Sequence, residues 1–266
     1  MLNSEERHQS RALISEGDDV LIYIDERRHK VVKVRRGFTF NSDKGVLKHD
    51  EIIGRRWGDE VRLSTGAKAY LLRPLFIDYL EHVFKRVTQV IYPKDLGFII
   101  LLGSVGPGSK VLEGGVGTGY LTATLANLVG DEGHVYAYEV REEFAEVAKR
   151  NLKRLGLDSR VTIKVGDVRK DVKESNLDTA FLDIPDPWNA LTTLKKALKP
   201  SSPAICFLPT INQVIKLLNA LKVRNDVIDI RIYETMLREY TLDPEALRPK
   251  TTMIAHTGYI VFFRII

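Results

Sequence analysis

Three glycines at alternate positions form the stretch of this chain best suited to hold a polar or anionic ligand. Residues 110–122 read KVLEGGVGTGYLT, with glycines at 115, 117 and 119 between an apolar run and a helix-forming run. Glycine permits positive φ and lets a ligand approach the backbone without a Cβ in the way. A loop between a strand and a helix start also presents unpaired N–H groups. Glycine loops serve as plain turns as well, so the pattern needs support from other residues.

Acidic side chains at the ends of successive predicted strands supply that support. Glu113 and Glu139 end the first two strands, and Asp167 and Asp183 come at the ends of the next two. Parallel strands bring their carboxyl ends to one edge of a sheet, where open α/β folds bind ligands. Glu139 lies roughly 20 residues beyond the loop, where nucleotide-type folds place an acceptor for ribose hydroxyls.

The glycine spacing favours one kind of nucleotide ligand. Dinucleotide sites use G-x-G-x-x-G, whereas here position 120 is Tyr and Gly119 comes one residue early. The pattern resembles the S-adenosylmethionine (AdoMet) loop of class I methyltransferases better than it resembles an NAD site. AdoMet is therefore the expected cofactor, and a dinucleotide is the alternative.

Alternating strands and helices must position these residues. Repeated βα units predict a doubly wound, mostly parallel sheet. The predicted strands are 110–113, 134–139, 161–165, 179–183 and 204–208, and the predicted helices are 95–102, 118–128, 141–155, 189–198 and 211–221. Two last strands, 227–233 and 259–265, are joined by a long excursion, 234–258. They predict a closing hairpin with an antiparallel edge strand.

The first 70 residues carry a different pattern. Short apolar runs separated by glycines and polar breaks predict a small all-β, barrel-like domain over 1–70, followed by the α/β domain over 71–266. Basic residues concentrate in the first domain, and in 33–35 they alternate with an apolar residue, so one face of that strand is predicted to be basic. Two interpretations stay open: a solvated outer face, or a surface for the RNA backbone, whose counterions Lys and Arg displace.

Whole-chain composition bounds the class of protein. The 266 residues are 44% hydrophobic and 28% charged, with a formal net charge of +5, which is typical of a globular protein. No apolar run has membrane-spanning length and the first residues lack an apolar signal segment, so a cytoplasmic protein without a membrane partner is expected. The single cysteine, Cys206, excludes an internal disulfide and a cysteine-based zinc site, and no metal is expected.

Three further motifs carry a specific resemblance. Residues 88–95 read TQVIYPKD, 182–188 read LDIPDPW, and 248–259 read RPKTTMIAHTGY. Together with the glycine loop they resemble the signatures of the tRNA (adenine-58-N(1))-methyltransferase family, from about residue 15 onward. The resemblance implies a class I methyltransferase fold of Rossmann-like type, AdoMet as cofactor, the T-loop of tRNA as substrate and a homotetramer. Gly114 and Val116 stand where the family often has Ala and Thr.

The resemblance also implies roles for individual residues. Glu139 would take the ribose hydroxyls and Asp167 the adenine amino group of AdoMet. The cofactor-binding residues would be Gln89, Gly115, Val116, Gly117, Thr118, Gly119, Glu139, Asp167 and Val168. The substrate-binding residues would be Tyr92, Arg248 and His256. For His256, a structural hydrogen bond before Tyr259 is the alternative.

Asp183 is implied as the catalytic residue. Adenine N(1) carries a lone pair at neutral pH, so no strong base is needed. A carboxylate that accepts a hydrogen bond from the exocyclic amine would hold the ring and stabilise the charge that develops as the methyl group arrives. An acid after a strand can also cap the next helix, although Pro185 and Pro187 favour a rigid loop.

Two other functions stay open on the sequence. One is a non-catalytic RNA-binding subunit that keeps the fold and pairs with an active partner. The intact glycine loop, Glu139, Asp167 and Asp183 count against it, because an inactive copy need not keep them. The other is a methyltransferase for protein carboxyl groups or small molecules.

Overall fold

The structure is a computed structural model and describes residues 13–266. Its residues divide into two compact units, one ending at Phe84 and the other covering Lys85–Ile266. The sequence places the division after residue 70. The structural division comes later because the strand Lys68–Leu72 pairs within the first unit, and the helix Phe76–His82 contacts the strand Arg28–Lys33 of that unit.

The first unit is a small β structure, as the sequence predicts. Its core is built from apolar side chains such as Val20, Ile22 and Leu71, which are fully buried. The elements of this unit are β1 Asp19–Asp25, β2 Arg28–Lys33, β3 Thr39–Ser42, β4 Gly45–Lys48, β5 Glu60–Arg62, β6 Lys68–Leu72 and α1 Phe76–His82. One sheet has the order β2-β1-β6-β5, all neighbours antiparallel, and β3 pairs with β4 as a separate hairpin.

The basic residues of this unit are distributed differently from the prediction. β2 ends at Lys33, so Arg35 lies beyond the strand and does not extend a basic strand face. The guanidinium of Arg28 forms ion pairs with Asp25 and Asp43, at 2.9 and 2.8 Å. Part of the positive charge is therefore neutralised within the unit, while Arg35 stays exposed.

The second unit is the predicted doubly wound fold. Its strands are β7 Lys110–Gly114, β8 His134–Glu139, β9 Val161–Val165, β10 Thr179–Leu182, β11 Pro203–Leu208, β12 Val227–Tyr233 and β13 Tyr259–Ile265. They form one sheet with the order β12-β13-β11-β10-β7-β8-β9. β7 to β11 run parallel where they pair, and β13 is antiparallel to both β11 and β12, which confirms the antiparallel component at this end of the sheet.

Helices cover the sheet at positions close to those predicted. They are α2 Pro93–Leu102, α3 Tyr120–Val129, α4 Glu142–Leu155, α5 Leu191–Ala197 and α6 Ile211–Lys222. Three starts differ from the prediction by two residues. α2 begins earlier than predicted, because Pro93 fits the first helical position. α3 begins at Tyr120 because Gly117 and Gly119 have φ of +54° and +82°, outside the helical region. The predicted helix 189–198 begins as the 3-10 turn Pro187–Ala190, where Pro187 occupies the first turn.

The strand registers show where the excursion 234–258, called the arm below, leaves the fold. Tyr233 at the end of β12 pairs with Ile260, and Leu208 at the end of β11 pairs with Tyr259. The arm therefore starts and ends at the carboxyl edge of the parallel strands. Cys206 is buried in the sheet core. Within residues 13–266, no helix is long and apolar enough to cross a membrane.

Candidate functional site

A cleft of about 390 Å³ opens at the carboxyl edge of the sheet. Volumes of this order suit a small-molecule ligand. Four of its lining segments follow β7, β8, β9 and β10, and the fifth is the connection before α2. In chain order the segments are residues 88–91, 115–118, 138–141, 166–169 and 183–186. The sequence-predicted position of the site, at the ends of successive parallel strands, is thus where the cavity lies.

Glu139 fastens the glycine loop to the end of β8. Its Oε2 accepts a hydrogen bond from the Gly117 N–H at 2.9 Å, and its Oε1 accepts one from the Arg141 N–H at 3.1 Å. The side chain is only 4% exposed. A carboxylate oxygen can accept more than one hydrogen bond, so both oxygens keep acceptor capacity for a hydroxyl ligand.

Asp183 is open to the cleft on one side and enclosed by protein atoms on the others. Its N–H donates to the Gly114 oxygen at 2.8 Å, which holds the start of the 183–186 loop against the end of β7. The residue is solvent-accessible and lines the cleft, yet protein atoms surround its carboxyl group on the remaining sides. This burial, and secondly the charge of Glu139, raise the pKa of Asp183 to about 6.

Glu113 does not join the other three acids in the cleft. It is fully buried, and its Oε1 accepts a hydrogen bond from the Thr122 hydroxyl at 3.0 Å. Burial is the main cause that raises the pKa of Glu113 to about 8; the Thr122 hydrogen bond opposes the shift, and Asp183 and Glu139 add to it. The prediction that all four acids face the carboxyl edge is therefore wrong for Glu113, whereas Glu139, Asp167 and Asp183 line the cleft at that edge.

Arg169 links two acids of the cleft, a contact that the sequence reasoning missed. Its Nε donates to Asp167 Oδ1 at 2.8 Å, and its Nη1 donates to Asp186 Oδ2 at 2.6 Å. The hydrogen bond from Arg169 is the main reason that the pKa of Asp167 lies below its ordinary value. Asp167 therefore stays a charged acceptor. The signal in the sequence was only a basic residue two positions after Asp167, which is common.

The connection before α2 forms the wall opposite the glycine loop. Thr88 and Gln89 line the cleft. The Thr88 hydroxyl is buried and has no hydrogen-bond partner among the described residues, and it would lie 2.8 Å from a Cβ at Gly117. Asn151 of α4 joins this wall to the loop: its Nδ2 donates to the Thr118 oxygen at 2.9 Å, and its Oδ1 accepts from the Lys85 N–H at 3.2 Å.

The structure brings most of the predicted site residues together. Those that line the cleft are Gln89, Gly115, Val116, Gly117, Thr118, Glu139, Asp167, Val168 and Asp183. Gly119 lies behind the loop, where a Cβ would stand 3.1 Å from the Ala148 Cβ. Tyr92 precedes α2 and is 37% exposed, and Arg248 and His256 are exposed on the arm. These last three residues do not line the cleft.

His256 is held by two hydrogen bonds at the base of the arm. Its Nδ1 lies 2.6 Å from Glu234 Oε1, and its Nε2 lies 3.1 Å from the Pro209 oxygen. Two acceptors favour the doubly protonated ring, and the hydrogen bond to Glu234 is the main cause that raises the pKa of His256. These two hydrogen bonds are what a structural role of His256 before Tyr259 requires.

The polar groups of the cleft fit AdoMet. Glu139 and Asp167 offer acceptors for hydroxyl and amino groups, and the Thr88 hydroxyl supplies a buried group that no residue of 13–266 hydrogen-bonds. At Gly117 a side chain would meet Thr88, so bare backbone is needed between these two walls. When bound, AdoMet would supply an electrophilic methyl group on a positively charged sulfur.

Comparison with known proteins identifies a family. The family model described as "tRNA methyltransferase complex GCD14 subunit" matches residues 70–246. The tRNA (adenine(57)-N(1)/adenine(58)-N(1))-methyltransferase TrmI of Methanocaldococcus jannaschii is 36% identical over 92% of this chain and 94% of its own.

Two solved structures are similar to this chain over nearly its full length. The tRNA (m1A58) methyltransferase TrmI of Aquifex aeolicus superposes with a TM-score of 0.84 at 34% identity, covering 95% of this chain and 98% of its own. A structure described as a SAM-dependent O-methyltransferase of Thermotoga maritima gives a TM-score of 0.91 at 37% identity, covering 97% and 96%.

Proposed function

The chain belongs to the tRNA (adenine-58-N(1))-methyltransferase family, and we propose that it transfers a methyl group from AdoMet to N(1) of adenine 58 in the T-loop of tRNA. The observation that carries the proposal is Asp183, an acid in the cleft beside the glycine loop and Glu139. The relative from Methanocaldococcus jannaschii is named for adenine 57 as well as adenine 58, so adenine 57 is a second candidate target.

We assign the cofactor-binding roles to the residues that line the cleft. Gly115, Val116, Gly117 and Thr118, with Gln89 opposite, would hold the methionine end. Glu139 would accept the ribose hydroxyls with its remaining lone pairs, and Asp167, with Val168 beside it, would accept from the adenine amino group. Gly119 would act indirectly, by letting α3 start against Ala148.

Asp183 would act on the target base and not on the cofactor. As a carboxylate it can accept a hydrogen bond from the exocyclic amine of adenine, which orients N(1) for in-line attack. The amine becomes a stronger donor as the ring gains positive charge, so this hydrogen bond stabilises the transition state more than the ground state. No proton has to be removed before attack, because N(1) already carries its lone pair.

The target adenine is stacked inside the folded tRNA and must be extracted, which costs a few kcal/mol. Contacts to the rest of the tRNA have to offset that cost. We propose that basic residues of the first unit and of the arm make them, with Arg248 and His256 on the arm and Tyr92 at the start of α2 as substrate-binding residues. Their exposure supports this role, although His256 also has a structural one.

We also propose that the enzyme is a homotetramer, as the family resemblance implies. Exposed apolar side chains such as Leu101, which is 75% exposed, support an association of copies. Sedimentation of the purified chain should give about four times the protomer mass of 30.2 kDa. A mass of one protomer at the concentration used in the activity assay would contradict the tetramer, but it would not bear on the proposed activity.

The activity is tested with labelled AdoMet and a tRNA transcript, followed by mapping of 1-methyladenosine. We expect 1-methyladenosine at position 58, and none at that position in a transcript that carries another base there. Label in hydroxyl or carboxyl acceptors but not in tRNA would favour the O-methyltransferase reading suggested by the description of the Thermotoga maritima structure. Absence of AdoMet binding by calorimetry would favour a non-catalytic RNA-binding subunit.

Asp183→Ala separates catalysis from folding. It should keep AdoMet binding while turnover falls on the order of a hundredfold or more, as for other preorganised electrostatic groups. Asp131→Ala is the matched control, because Asp131 is 86% exposed in an ion pair with Arg160 and does not line the cleft. Unchanged turnover in Asp183→Ala would remove Asp183 from the mechanism.

A further inference from the structure

A buried ion pair outside the cleft anchors both ends of the arm. Lys94 and Asp95, in the first turn of α2, have side chains that are 8% and 0% exposed, and Lys94 Nζ lies 3.0 Å from Asp95 Oδ1. The Thr235 hydroxyl donates to Asp95 Oδ1 and the Thr257 hydroxyl donates to Asp95 Oδ2, each at 2.6 Å. The four residues are called the anchor cluster below.

The polar groups of the anchor cluster form hydrogen bonds with one another. Lys94 Nζ also donates to the Thr235 backbone oxygen at 2.9 Å and to the Thr257 hydroxyl at 2.6 Å. The three N–H donors of the ammonium group thus have acceptors within the cluster, and each threonine hydroxyl donates to the carboxylate. Buried charges are costly unless they are paired and hydrogen-bonded in this way. A fully satisfied buried network has one low-energy arrangement, so it fixes the groups that it joins.

The rest of the arm lacks comparable burial. Between Thr235 and Thr257 only Thr241 and Pro249 are half-buried, and the other residues are exposed. The arm nevertheless has its own structure, because the Thr241 N–H donates to the Arg248 oxygen at 2.9 Å and the Lys250 N–H donates to the Glu239 oxygen at 2.8 Å. A projecting segment with internal order and two anchored ends takes its direction from those ends.

A second contact at the base of the arm is weaker. His256 and Glu234 are adjacent to the threonines and form an ion pair, but their side chains are 44% and 39% exposed. Solvent screens such pairs, so they fix geometry poorly. The anchor cluster is therefore the main determinant of how the arm leaves the fold.

The same cluster adjoins the cleft. Lys94 and Asp95 lie in the first turn of α2, which follows the connection whose residues 88–91 line the cleft, and Tyr92 is the N-cap of that helix. The arm and the cleft also share the carboxyl edge of the sheet, as the pairing of Tyr233 with Ile260 shows. The anchor cluster thus joins, through α2, the wall of the cofactor cleft to the segment that carries Arg248.

We propose that Lys94 and Asp95 are positioning residues for methyl transfer to tRNA: they hold Thr235 and Thr257 so that the arm meets the substrate in register with the cleft. The proposal rests on the proposed function, since the ligand met by the arm is tRNA. It predicts a defect in the use of tRNA that leaves the binding of AdoMet intact. A merely stabilising cluster would instead affect both to the same degree.

The test uses the full chain with Thr235→Val and Thr257→Val combined. Valine keeps the shape of threonine but removes both hydroxyls, while the Lys94–Asp95 pair remains. We expect kcat/KM for tRNA to fall about tenfold or more through misplacement of the substrate. Calorimetry should give a Kd for AdoMet within about twofold of wild type, because no cleft residue is changed. Hydrogen exchange in peptides covering the arm should accelerate, since its anchoring opens more often.

Thr162→Val is the matched control. It removes a hydroxyl that hydrogen-bonds His134 at 2.8 Å on β9, away from the arm and the cleft, and should leave all three readouts unchanged. If the double variant does not fold, the single variants carry the same test with expected changes of about threefold.

Two results would overturn the proposal. One is wild-type exchange in the arm of the folded double variant. The other is a loss of AdoMet binding in parallel with the loss of tRNA methylation. Failure of the proposed function gives a different result, because the wild-type chain itself would then leave tRNA unmethylated. Hydrogen exchange in the arm of the double variant would still show whether Thr235 and Thr257 anchor the arm.

Discussion

The backbone oxygen of Asp183 occupies the space that a side chain at Gly115 would need. A Cβ on Gly115 would stand 2.1 Å from that oxygen, and the φ of Gly115 is +88°. The glycine loop and the loop that carries Asp183 are therefore packed backbone against backbone. Any enlargement at position 115 must push Asp183 away from its place in the cleft.

Gly115→Ala should reduce methyl transfer by about a hundredfold or more, because displacement of a catalytic group by even an ångström has effects of this size. The matched control is Gly156→Ala, at the end of α4, where φ is +67° but the added Cβ meets no described residue within 4 Å outside its own stretch of chain. That control should lose roughly 1 kcal/mol of stability from backbone strain and keep its turnover. Equal activity losses in the two variants would show that strain, and not the contact with Asp183, is responsible.

Position along the chain explains what the sequence could predict about this site. Strand ends follow from the periodicity of apolar residues, so Glu139, Asp167 and Asp183 could be assigned to one edge. Whether a strand-end acid turns outward or inward depends on its exact register, and Glu113, one residue before the end of β7, is instead buried. A shift of one residue along a strand reverses the direction of a side chain.

Contacts between distant segments could not be predicted from the sequence, for a different reason. Asn151 hydrogen-bonds Thr118 across 33 positions, Arg169 reaches Asp186 across 17, and Asp95 meets Thr257 across 162. No periodicity or spacing encodes such a pair. The same limit applies to the first unit. There Asp43 compensates the positive charge of Arg28, a pairing that the basic residues around Arg28 in the sequence do not indicate.

The activity should depend on pH through Asp183. Its pKa is about 6, so below that pH the carboxyl group is protonated and cannot accept from the adenine amine with a full charge. We expect kcat/KM to rise about tenfold per pH unit below pH 6 and to level off above it. The kcat profile should shift to lower pH, because a bound cationic cofactor favours the ionised acid. Asp183→Asn should lack the rise, and Asp131→Ala should retain it; a persistent rise in the asparagine variant would assign the titration to another group.

Asn151 should control cofactor affinity without touching the ligand. Asn151→Leu removes the hydrogen bonds to the Thr118 and Lys85 backbones, and it leaves polar groups without partners at a site that is 6% exposed. Such a loss costs about 1–3 kcal/mol. We expect AdoMet affinity to fall about tenfold as the loop and the opposite wall separate, with kcat at saturation less affected. Asn219→Leu, at an exposed position in α6, is the control; equal affinities in both variants would exclude a positioning role.

Glu113 should make the fold less stable as pH rises. The unfolded chain releases this proton above its ordinary pKa of 4.5, whereas the folded chain keeps it until about pH 8. Between these values the unfolded state binds fewer protons, so the free energy of unfolding falls by up to about 1.4 kcal/mol per pH unit. Glu113→Gln removes that dependence while glutamine still accepts from Thr122. Urea unfolding at pH 7 and pH 8, above the Asp183 titration, should show a smaller loss of stability for this variant than for wild type and Asp131→Ala. Parallel profiles in all three proteins would mean that Glu113 is already ionised in the folded chain.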